Sequence, residues 1–220
     1  IAPVSEHPVL SLVVPCYNEA AGLASFWARA SAALAALGVA AEAVFVDDGS
    51  RDTTLAVLSA LAARDPRVRV VALSRNFGKE IALAAGLDHA RGDAVVPIDA
   101  DLQHPPELVR DLVAKWREGN DVVIALRRDR ATDSAPRRLA SDLFHRLFAR
   151  VSVVPVPRGA GDFRLMSRAV VDALRAMPER TRYMKGMYAW VGFRTATVDY
   201  DVEERATGDS RFGLLKLWRL

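Results

Sequence analysis

The first 126 residues alternate short apolar runs with longer segments in which apolar residues recur at helical spacing. Each apolar run predicts a strand, and each longer segment predicts a helix. The predicted strands are 10–14, 43–46, 68–73, 94–98 and 121–125, and the predicted helices are 20–37, 53–64, 79–90 and 106–118. Regular alternation of this kind is typical of an α/β fold, with a doubly wound, mostly parallel sheet and flanking helices.

The pattern changes after residue 126. Apolar residues stand at every fourth position from Leu139 to Val151 and predict an amphipathic helix, which packs either on the core or on a membrane surface. The remaining predictions are a flexible Gly-rich turn over 159–164, a helix over 167–177, a strand over 193–202 and an amphipathic segment over 212–220.

Composition places the chain among folded globular proteins, because 51% of its 220 residues are hydrophobic and 26% are charged. The net charge of +3 is unevenly distributed, with seven Arg and three Asp in residues 127–150 and a second basic excess in residues 205–220. These clusters predict an anionic partner such as phosphate or a lipid surface, or else ordinary solvated faces. Cys16 has no second cysteine to pair with. No apolar run reaches the roughly 18 residues of a membrane-spanning helix.

Polar side chains follow four successive predicted strands at the point where each strand ends. They belong to the segments Cys16–Glu19, Asp47–Ser50, Arg75–Lys79 and Asp99–Asp101. In a parallel α/β sheet, ligands bind beyond the carboxyl ends of the strands, so these segments predict one site. The mixture of acids, amides and basic side chains indicates a partly anionic ligand with a metal ion beside it.

Asp99 and Asp101 are separated by one residue at a strand end, and the amide of Gln103 follows. Side chains at positions i and i+2 of a strand point to the same side, so both carboxylates can reach one hard cation. Such a cation often keeps coordination places for phosphate oxygens, which predicts a metal that holds a diphosphate. The alternative is that these acids only solvate the turn before the helix that starts at Pro106.

Other motifs are incomplete. Gly78-Lys79 lacks the remaining residues of a P-loop, and Gly159-x-Gly161 lacks the third glycine of a dinucleotide fingerprint. Basic residues interleaved with aromatic residues are also missing, so nucleic acid is not an expected partner.

Three motifs in order resemble those of the inverting GT-A glycosyltransferases of family 2: PCYNE at 15–19, DDGSRDTT at 47–54 and DADLQ at 99–103. Three further motifs, RNFGKE at 75–80, GDFRLM at 161–166 and ERATGDSR at 204–211, resemble the polyprenyl-phosphate branch of that family. This branch includes dolichol-phosphate-mannose-synthase-like and bactoprenol-glucosyltransferase-like enzymes. The resemblance covers about residues 10–218.

The resemblance implies a GT-A catalytic domain over residues 8–204, and a phosphate-contacting loop with an amphipathic juxtamembrane helix over 205–220. The implied nucleotide-binding residues are Pro15, Tyr17, Asn18, Glu19, Asp47, Asp48, Lys79, Asp99, Ala100, Arg205 and Arg211. The implied ligands of Mg²⁺ or Mn²⁺ are Asp99, Asp101 and Gln103, and the implied acceptor-phosphate residues are Arg127, Arg137 and Ser141. Asp162 and Asp101 are the implied catalytic residues. Arg211 stands where the family usually has Lys. Arginine keeps the positive charge but presents a planar, forked guanidinium where lysine presents a point charge.

The implied reaction is the inverting transfer of a hexose from a nucleotide-diphosphate sugar to a polyprenyl (undecaprenyl) phosphate. UDP-glucose is the favoured donor, and the implied location is the cytoplasmic face of the cell membrane. The implied partners are the nucleotide sugar, the lipid phosphate and the membrane surface, with a homo-oligomer as an option. Alternatives are a GDP-mannose-dependent polyprenyl-phosphate mannosyltransferase, a family 2 transferase with a soluble acceptor, a sugar nucleotidyltransferase and a non-catalytic binding module.

Overall fold

The computed structural model describes residues 9–127, 160–177, 179 and 184–200. The strands are β1 (Leu10–Cys16), β2 (Ala41–Asp47), β3 (Val68–Ala72), β4 (Ala94–Pro97), β5 (Val122–Arg127), β6 (Ala160–Ser167) and β7 (Thr195–Tyr200). The helices are α1 (Leu23–Ala36), α2 (Thr54–Arg64), α3 (Lys79–His89), α4 (Val109–Arg117), α5 (Arg168–Ala176) and α6 (Met184–Trp190). A 3-10 turn, Pro106–Leu108, leads into α4.

The strands form one seven-stranded sheet in the order β3-β2-β1-β4-β6-β5-β7. Strands β1 to β4 are mutually parallel, and β7 is parallel to β5. Strand β6 is antiparallel to both of its neighbours, β4 and β5. The predicted doubly wound, mostly parallel sheet with flanking helices is therefore confirmed.

Two hydrophobic layers cover the sheet because side chains alternate between its faces. Leu12 and Val14 of β1 pack in the layer that contains α1, α2 and α4, whereas Val13 packs with α3, α5 and α6. The first layer is tied together by edge-on ring contacts, with the Phe45 ring 6.2 Å from Phe26 and 5.8 Å from Trp27. Burial on both faces explains why these strands read as nearly continuous apolar runs.

Strand β6 corrects the prediction of a flexible turn over residues 159–164. Residues 160–164 belong to a strand in the middle of the sheet, where Val95 pairs with Met166 and Ile124 pairs with Arg164. Glycine and polar residues at the start of this segment favour a turn locally, but pairing with two distant strands overrides that local preference. Because β6 runs antiparallel to β4, its first residues lie at the edge where β4 ends.

Several predictions fall outside the described residues. These are the amphipathic helix over 135–151, the segment over 212–220 and the last two residues of the strand predicted over 193–202. Within the described residues, no helix is both long enough and apolar enough to cross a membrane.

Candidate active site

A pocket of about 510 Å³ lies at the carboxyl edge of the sheet. The loops that follow β1, β2, β3 and β4 all contribute to it. Its lining residues are Pro15, Cys16, Tyr17, Glu19, Asp48, Asn76, Gly78, Lys79, Ala82, Asp99, Ala100 and Asp101. The predicted convergence of polar segments at one edge of the sheet is therefore observed.

The loops after β1 and β2 are joined by hydrogen bonds. The Asn18 backbone N–H donates to Ser50 Oγ over 2.9 Å, and the Arg51 N–H donates to Asn18 Oδ1 over 2.7 Å. The Glu19 N–H donates to Thr54 Oγ1 over 2.9 Å. Asn18 adopts a left-handed backbone with φ 53°, a conformation that asparagine tolerates better than most residues. Asn18 thus shapes this part of the pocket wall instead of lining it.

Asp48 fixes the loop after β3. Its two buried carboxylate oxygens accept the backbone N–H groups of Phe77 and Gly78, at 2.8 and 2.9 Å. Gly49 allows this close approach, since a Cβ added there would lie 2.3 Å from the backbone carbon of Arg75. Gly49 also has φ +64°, which L side chains rarely adopt. The Asp47 carboxylate is buried and accepts the Ser50 N–H at 3.4 Å.

On the other side of the pocket, Lys79 joins an acidic side chain from the loop after β4 to one from β6. Its Nζ lies 2.7 Å from Asp99 Oδ1, 2.9 Å from Asp99 Oδ2 and 3.0 Å from Asp162 Oδ2. Burial disfavours the charged ammonium, but the two carboxylates outweigh that cost and raise the pKa of Lys79 above its ordinary value. Lys79 is therefore a stable cation within an acidic cluster.

Asp162 reaches this cluster through an irregularity in β6. Ile124 pairs with Arg164 but Leu126 pairs with Ala160, so the register shifts in the stretch that contains Asp162. Bulges of this kind redirect side chains and are frequent beside active sites. Asp162 Oδ1 is buried and has no hydrogen-bond partner among the described residues.

His104 lies against the same acids, with Nδ1 3.7 Å from Asp99 Oδ2. Its ring contacts Phe163 at a centroid distance of 5.0 Å, and burial lowers the pKa of His104 although the neighbouring acids oppose that effect. The loop leading to His104 contains Leu102, a buried residue with φ 60°. A non-glycine residue in that region is strained, a feature that clusters at functional sites.

Arg164 and Tyr188 form a buried pair behind Asp162. The Arg164 guanidinium lies 4.0 Å from the centroid of the Tyr188 ring, and Arg164 Nη2 donates to the Gly161 carbonyl over 2.6 Å. That hydrogen bond joins residues 161 and 164, so it closes the short segment that contains Asp162. Burial lowers the pKa of Arg164 and raises the pKa of Tyr188. Arg164 Nε and the Tyr188 hydroxyl have no hydrogen-bond partner among the described residues.

The donor atoms fit a hard divalent cation that also takes oxygens from its substrate. Among the described residues, no three His, Cys, Asp or Glu side chains are gathered closely enough to hold a metal ion alone. Asp99 and Asp101 nevertheless line the pocket, and Asp162, joined to Asp99 through Lys79, has a buried oxygen, Oδ1, without a hydrogen-bond partner among the described residues. Mg²⁺ and Mn²⁺ are commonly held by one or two carboxylates together with phosphate oxygens.

The structure brings together most, but not all, of the predicted site residues. Those that line the pocket are Pro15, Tyr17, Glu19, Asp48, Lys79, Asp99, Ala100 and Asp101. The predicted metal ligand Gln103 donates its backbone N–H to Asp101 Oδ1 over 3.0 Å. Arg127 ends β5, and Arg137, Ser141, Arg205 and Arg211 lie outside the described residues.

Sequence reasoning missed residues that the fold places at the site. Asn76 lines the pocket, His104 contacts Asp99, and Arg164 and Tyr188 lie behind Asp162. Sequence position could have identified the first two as site residues, because Asn76 lies within the polar segment after β3 and His104 directly follows Gln103. The partnership of Arg164 with Tyr188 had no such signal, since it depends on contact between β6 and α6.

The parallel sheet with one inserted antiparallel strand, and the paired aspartates after β4, define a GT-A glycosyltransferase fold. Solved structures agree. A mannosyltransferase from Pyrobaculum calidifontis, in complex with GDP-Man and Mn²⁺, matches with a TM-score of 0.62 at 22% identity, covering 92% of this chain and 58% of that one. Glucosyl-3-phosphoglycerate synthase from Mycobacterium tuberculosis, with Mn²⁺ and UDP-Glc, matches with a TM-score of 0.62 at 24% identity, covering 96% and 74%.

The family model for glycosyl transferase family 2 matches residues 11–175, and the chain belongs to that family. An uncharacterized glycosyltransferase of Synechocystis is 47% identical over 95% of this chain and 66% of its own. A prophage bactoprenol glucosyl transferase homolog of Escherichia coli is 45% identical over 96% of this chain and 69% of its own length. The bactoprenol glucosyl transferase of Shigella phage SfV gives the same identity and coverage. The chain thus spans about two thirds of the length of these relatives.

Proposed function

We propose that this chain is the catalytic part of an inverting glycosyltransferase that moves a hexose from UDP-glucose to a polyprenyl phosphate, undecaprenyl phosphate being the expected lipid. The observation that carries the proposal is the presence of Asp99 and Asp101 at a pocket of about 510 Å³, with Asp162 joined to Asp99 through Lys79. A pocket of this volume is large enough for a ligand of nucleotide-sugar size. Relatives named bactoprenol glucosyl transferase, 45% identical over 211 residues, support the lipid acceptor and the glucose.

The residues of the two sides of the pocket have different tasks in this proposal. Pro15, Tyr17 and Glu19, with Asp48 behind the loop after β3, bind the nucleoside. Asp99, Asp101 and Gln103 hold Mg²⁺ or Mn²⁺. When bound, the divalent cation supplies charge stabilisation for the departing diphosphate. Lys79, which lines the same pocket, supplies a second positive charge for the diphosphate.

Asp162 orients the acceptor in this proposal and is not a strong base. A lipid monophosphate has a second pKa near about 6, so at pH 7 it is mostly a dianion that needs little deprotonation before it attacks. Arg127, Arg137 and Ser141 hold that dianion, and Arg205 and Arg211 contact the donor phosphates. Attack in one displacement inverts the anomeric centre, so an α-linked donor gives a β-linked lipid product.

The reaction takes place at the cytoplasmic face of the membrane in this proposal, with residues 8–204 as the catalytic domain. The basic, amphipathic residues 205–220 would contact the lipid surface. Replacing Lys216 and Arg219 together with Gln should weaken binding to anionic vesicles, measured by co-sedimentation. Unchanged binding would assign this segment to protein packing.

Turnover with defined substrates tests the proposal. Labelled UDP-glucose and GDP-mannose are each offered with undecaprenyl phosphate in detergent, and with a soluble sugar in its place. We expect a β-linked glucosyl lipid that depends on a divalent cation and is lost in Asp99→Asn. Formation of mannosyl lipid from GDP-mannose would show that the donor is GDP-mannose and not UDP-glucose. Transfer only to the soluble sugar would show that the acceptor is not a lipid phosphate.

A further inference from the structure

Lys79 occupies an unusual position for a residue expected only to bind nucleotide. It is the first residue of α3, and the loop before it is fixed by the hydrogen bonds from Phe77 and Gly78 to Asp48. From this fixed point its side chain reaches both β4 and β6. Nζ lies within 3.0 Å of oxygens of Asp99 and of Asp162, the predicted metal ligand and the predicted catalytic acid.

Lys79 does not balance the charge of this cluster. Among the described residues, Asp99 and Asp162 contribute two carboxylates to the contacts of Lys79, whereas Lys79 contributes one ammonium. Within the described part of the chain, these two carboxylates face one positive charge, and Asp162 Oδ1 is buried there without a hydrogen-bond partner. A further cation is the simplest way to complete such a site.

A divalent cation and the Lys79 ammonium compete for the same carboxylate. Nζ contacts both oxygens of Asp99, at 2.7 and 2.9 Å. A metal ion binds a carboxylate oxygen at about 2.0–2.6 Å, so a metal on Asp99 would face the ammonium at close range and repel it. Lysine has a flexible stem and carries a compact charge, so it can release Asp99 without a change in α3.

We propose that Lys79 is an exchangeable counter-ion of Asp99, whose ammonium moves to the donor diphosphate when a divalent cation binds. This inference rests on the proposed function and deepens it. It makes metal and nucleotide bind cooperatively, because the diphosphate gives the displaced ammonium a new partner. By thermodynamic reciprocity, the nucleotide must then raise metal affinity by the same factor as the metal raises nucleotide affinity.

The coupling is measured by titrating Mn²⁺ into the 220-residue chain, with and without UDP, using the electron paramagnetic resonance signal of free Mn²⁺. In the natural sequence we expect UDP to raise Mn²⁺ affinity by about tenfold or more, within the usual range of coupling. Lys79→Met removes the competing charge, so it should bind Mn²⁺ alone about tenfold more tightly and show a UDP effect below about threefold.

Lys115→Met is the matched control, because Lys115 is a half-exposed lysine on α4 that pairs only with Glu118 over 3.0 Å among the contacts described. It should leave both Mn²⁺ affinities unchanged. Lys79→Arg keeps the charge and should retain most of the coupling. Lys79→Gln also removes the charge and should behave like Lys79→Met, so it replaces that variant if the methionine variant does not fold.

Two results would overturn the inference. If Mn²⁺ binds, but Lys79→Met leaves its affinity and the UDP effect unchanged, Lys79 is a fixed ion pair and the proposed function stands. If neither Mn²⁺ nor UDP binds to the natural sequence, the inference fails together with the metal site on which the proposed function depends.

Discussion

The two sides of the pocket are built in different ways. On the side formed by β1, β2 and β3, the loops are joined to one another by hydrogen bonds through Asn18 and Asp48. On the side formed by β4 and β6, buried polar atoms remain without partners. Among the described residues, the unpartnered buried side-chain atoms are His104 Nδ1, Asp162 Oδ1, Arg164 Nε and the Tyr188 hydroxyl, all on that side.

Unpartnered buried polar groups are costly, so proteins keep them where a ligand or function offsets the cost. The contrast indicates that the β1–β3 side is complete before the nucleotide arrives, whereas the β4–β6 side is completed by cation, diphosphate and acceptor. The strained Leu102, which lies between the two proposed metal-binding positions Asp101 and Gln103, belongs to the same side. Substitutions on the two sides should therefore have different consequences.

The largest effect is expected from Asp162→Asn on the β4–β6 side. Removing this carboxylate should lower turnover by about 10²–10³-fold, comparable to the loss of one key electrostatic group in other active sites. UDP binding in the presence of Mn²⁺ should stay within about threefold, because the nucleoside contacts lie on the other side. Steady-state kinetics and calorimetry measure the two quantities. Recovery of the rate at raised pH would instead identify Asp162 as a base.

Next in size is the loss of stability from Gly49→Ala on the β1–β3 side. A Cβ there would lie 2.3 Å from the Arg75 backbone carbon, and φ +64° is strained for alanine. We expect the free energy of unfolding to fall by about 3 kcal/mol in urea denaturation.

Gly38→Ala is the matched control, since Gly38 has φ +65° but open space around it. It should cost only about 1 kcal/mol, the price of the left-handed backbone. Equal losses in the two variants would mean that the loops after β2 and β3 can separate freely, and the description of this side as preassembled would be wrong.

A smaller loss is expected from Asp48→Ala, which leaves the partly buried N–H groups of Phe77 and Gly78 without their acceptor. It should lower the free energy of unfolding by about 2 kcal/mol. UDP affinity should fall too, because the loop beside Asn76 is released. The exposed Asp52 also accepts a backbone N–H, from Thr54 at 2.9 Å. Asp52→Ala should cost about 1 kcal/mol without altering UDP affinity.

The smallest effect is expected from Tyr188→Phe. The hydroxyl is buried without a described partner, so its removal discards an unsatisfied group and should change the free energy of unfolding by less than about 0.5 kcal/mol. The aromatic face that contacts the Arg164 guanidinium is kept. Measured turnover decides what the hydroxyl does. A loss of more than tenfold would show that it binds the acceptor or donor during the reaction.

The difference between the two sides also explains what could be predicted from sequence. The β1–β3 side comes from strands and turns that are contiguous in sequence, so Asp48, Gly49 and the loop after β3 carry local signals. The β4–β6 side requires β6 to insert between β4 and β5 from more than thirty residues further along the chain. Glycine near Asp162 predicted a turn, and no local pattern could reveal the pairing of Ile124 with Arg164.

The site residues follow the same division. Asp99 and Asp101 were predicted from spacing, and Lys79 was placed at the correct edge of the sheet. Its contacts with Asp99 and Asp162 could not be predicted, because they join α3 to β4 and β6. Helix α6 was not predicted, and its Tyr188 could not be assigned to the site, because the contact with Arg164 joins α6 to β6.

Calorimetry measures whether a cation and a nucleotide complete the β4–β6 side together. UDP and GDP are each titrated into this chain and into Asp99→Asn, with and without Mn²⁺. We expect UDP to bind more tightly than GDP, only in the presence of Mn²⁺, and this binding to be lost in Asp99→Asn. Two results would contradict this expectation. One is equal UDP affinity for the natural sequence and Asp99→Asn, with and without Mn²⁺, and the other is binding of neither nucleotide.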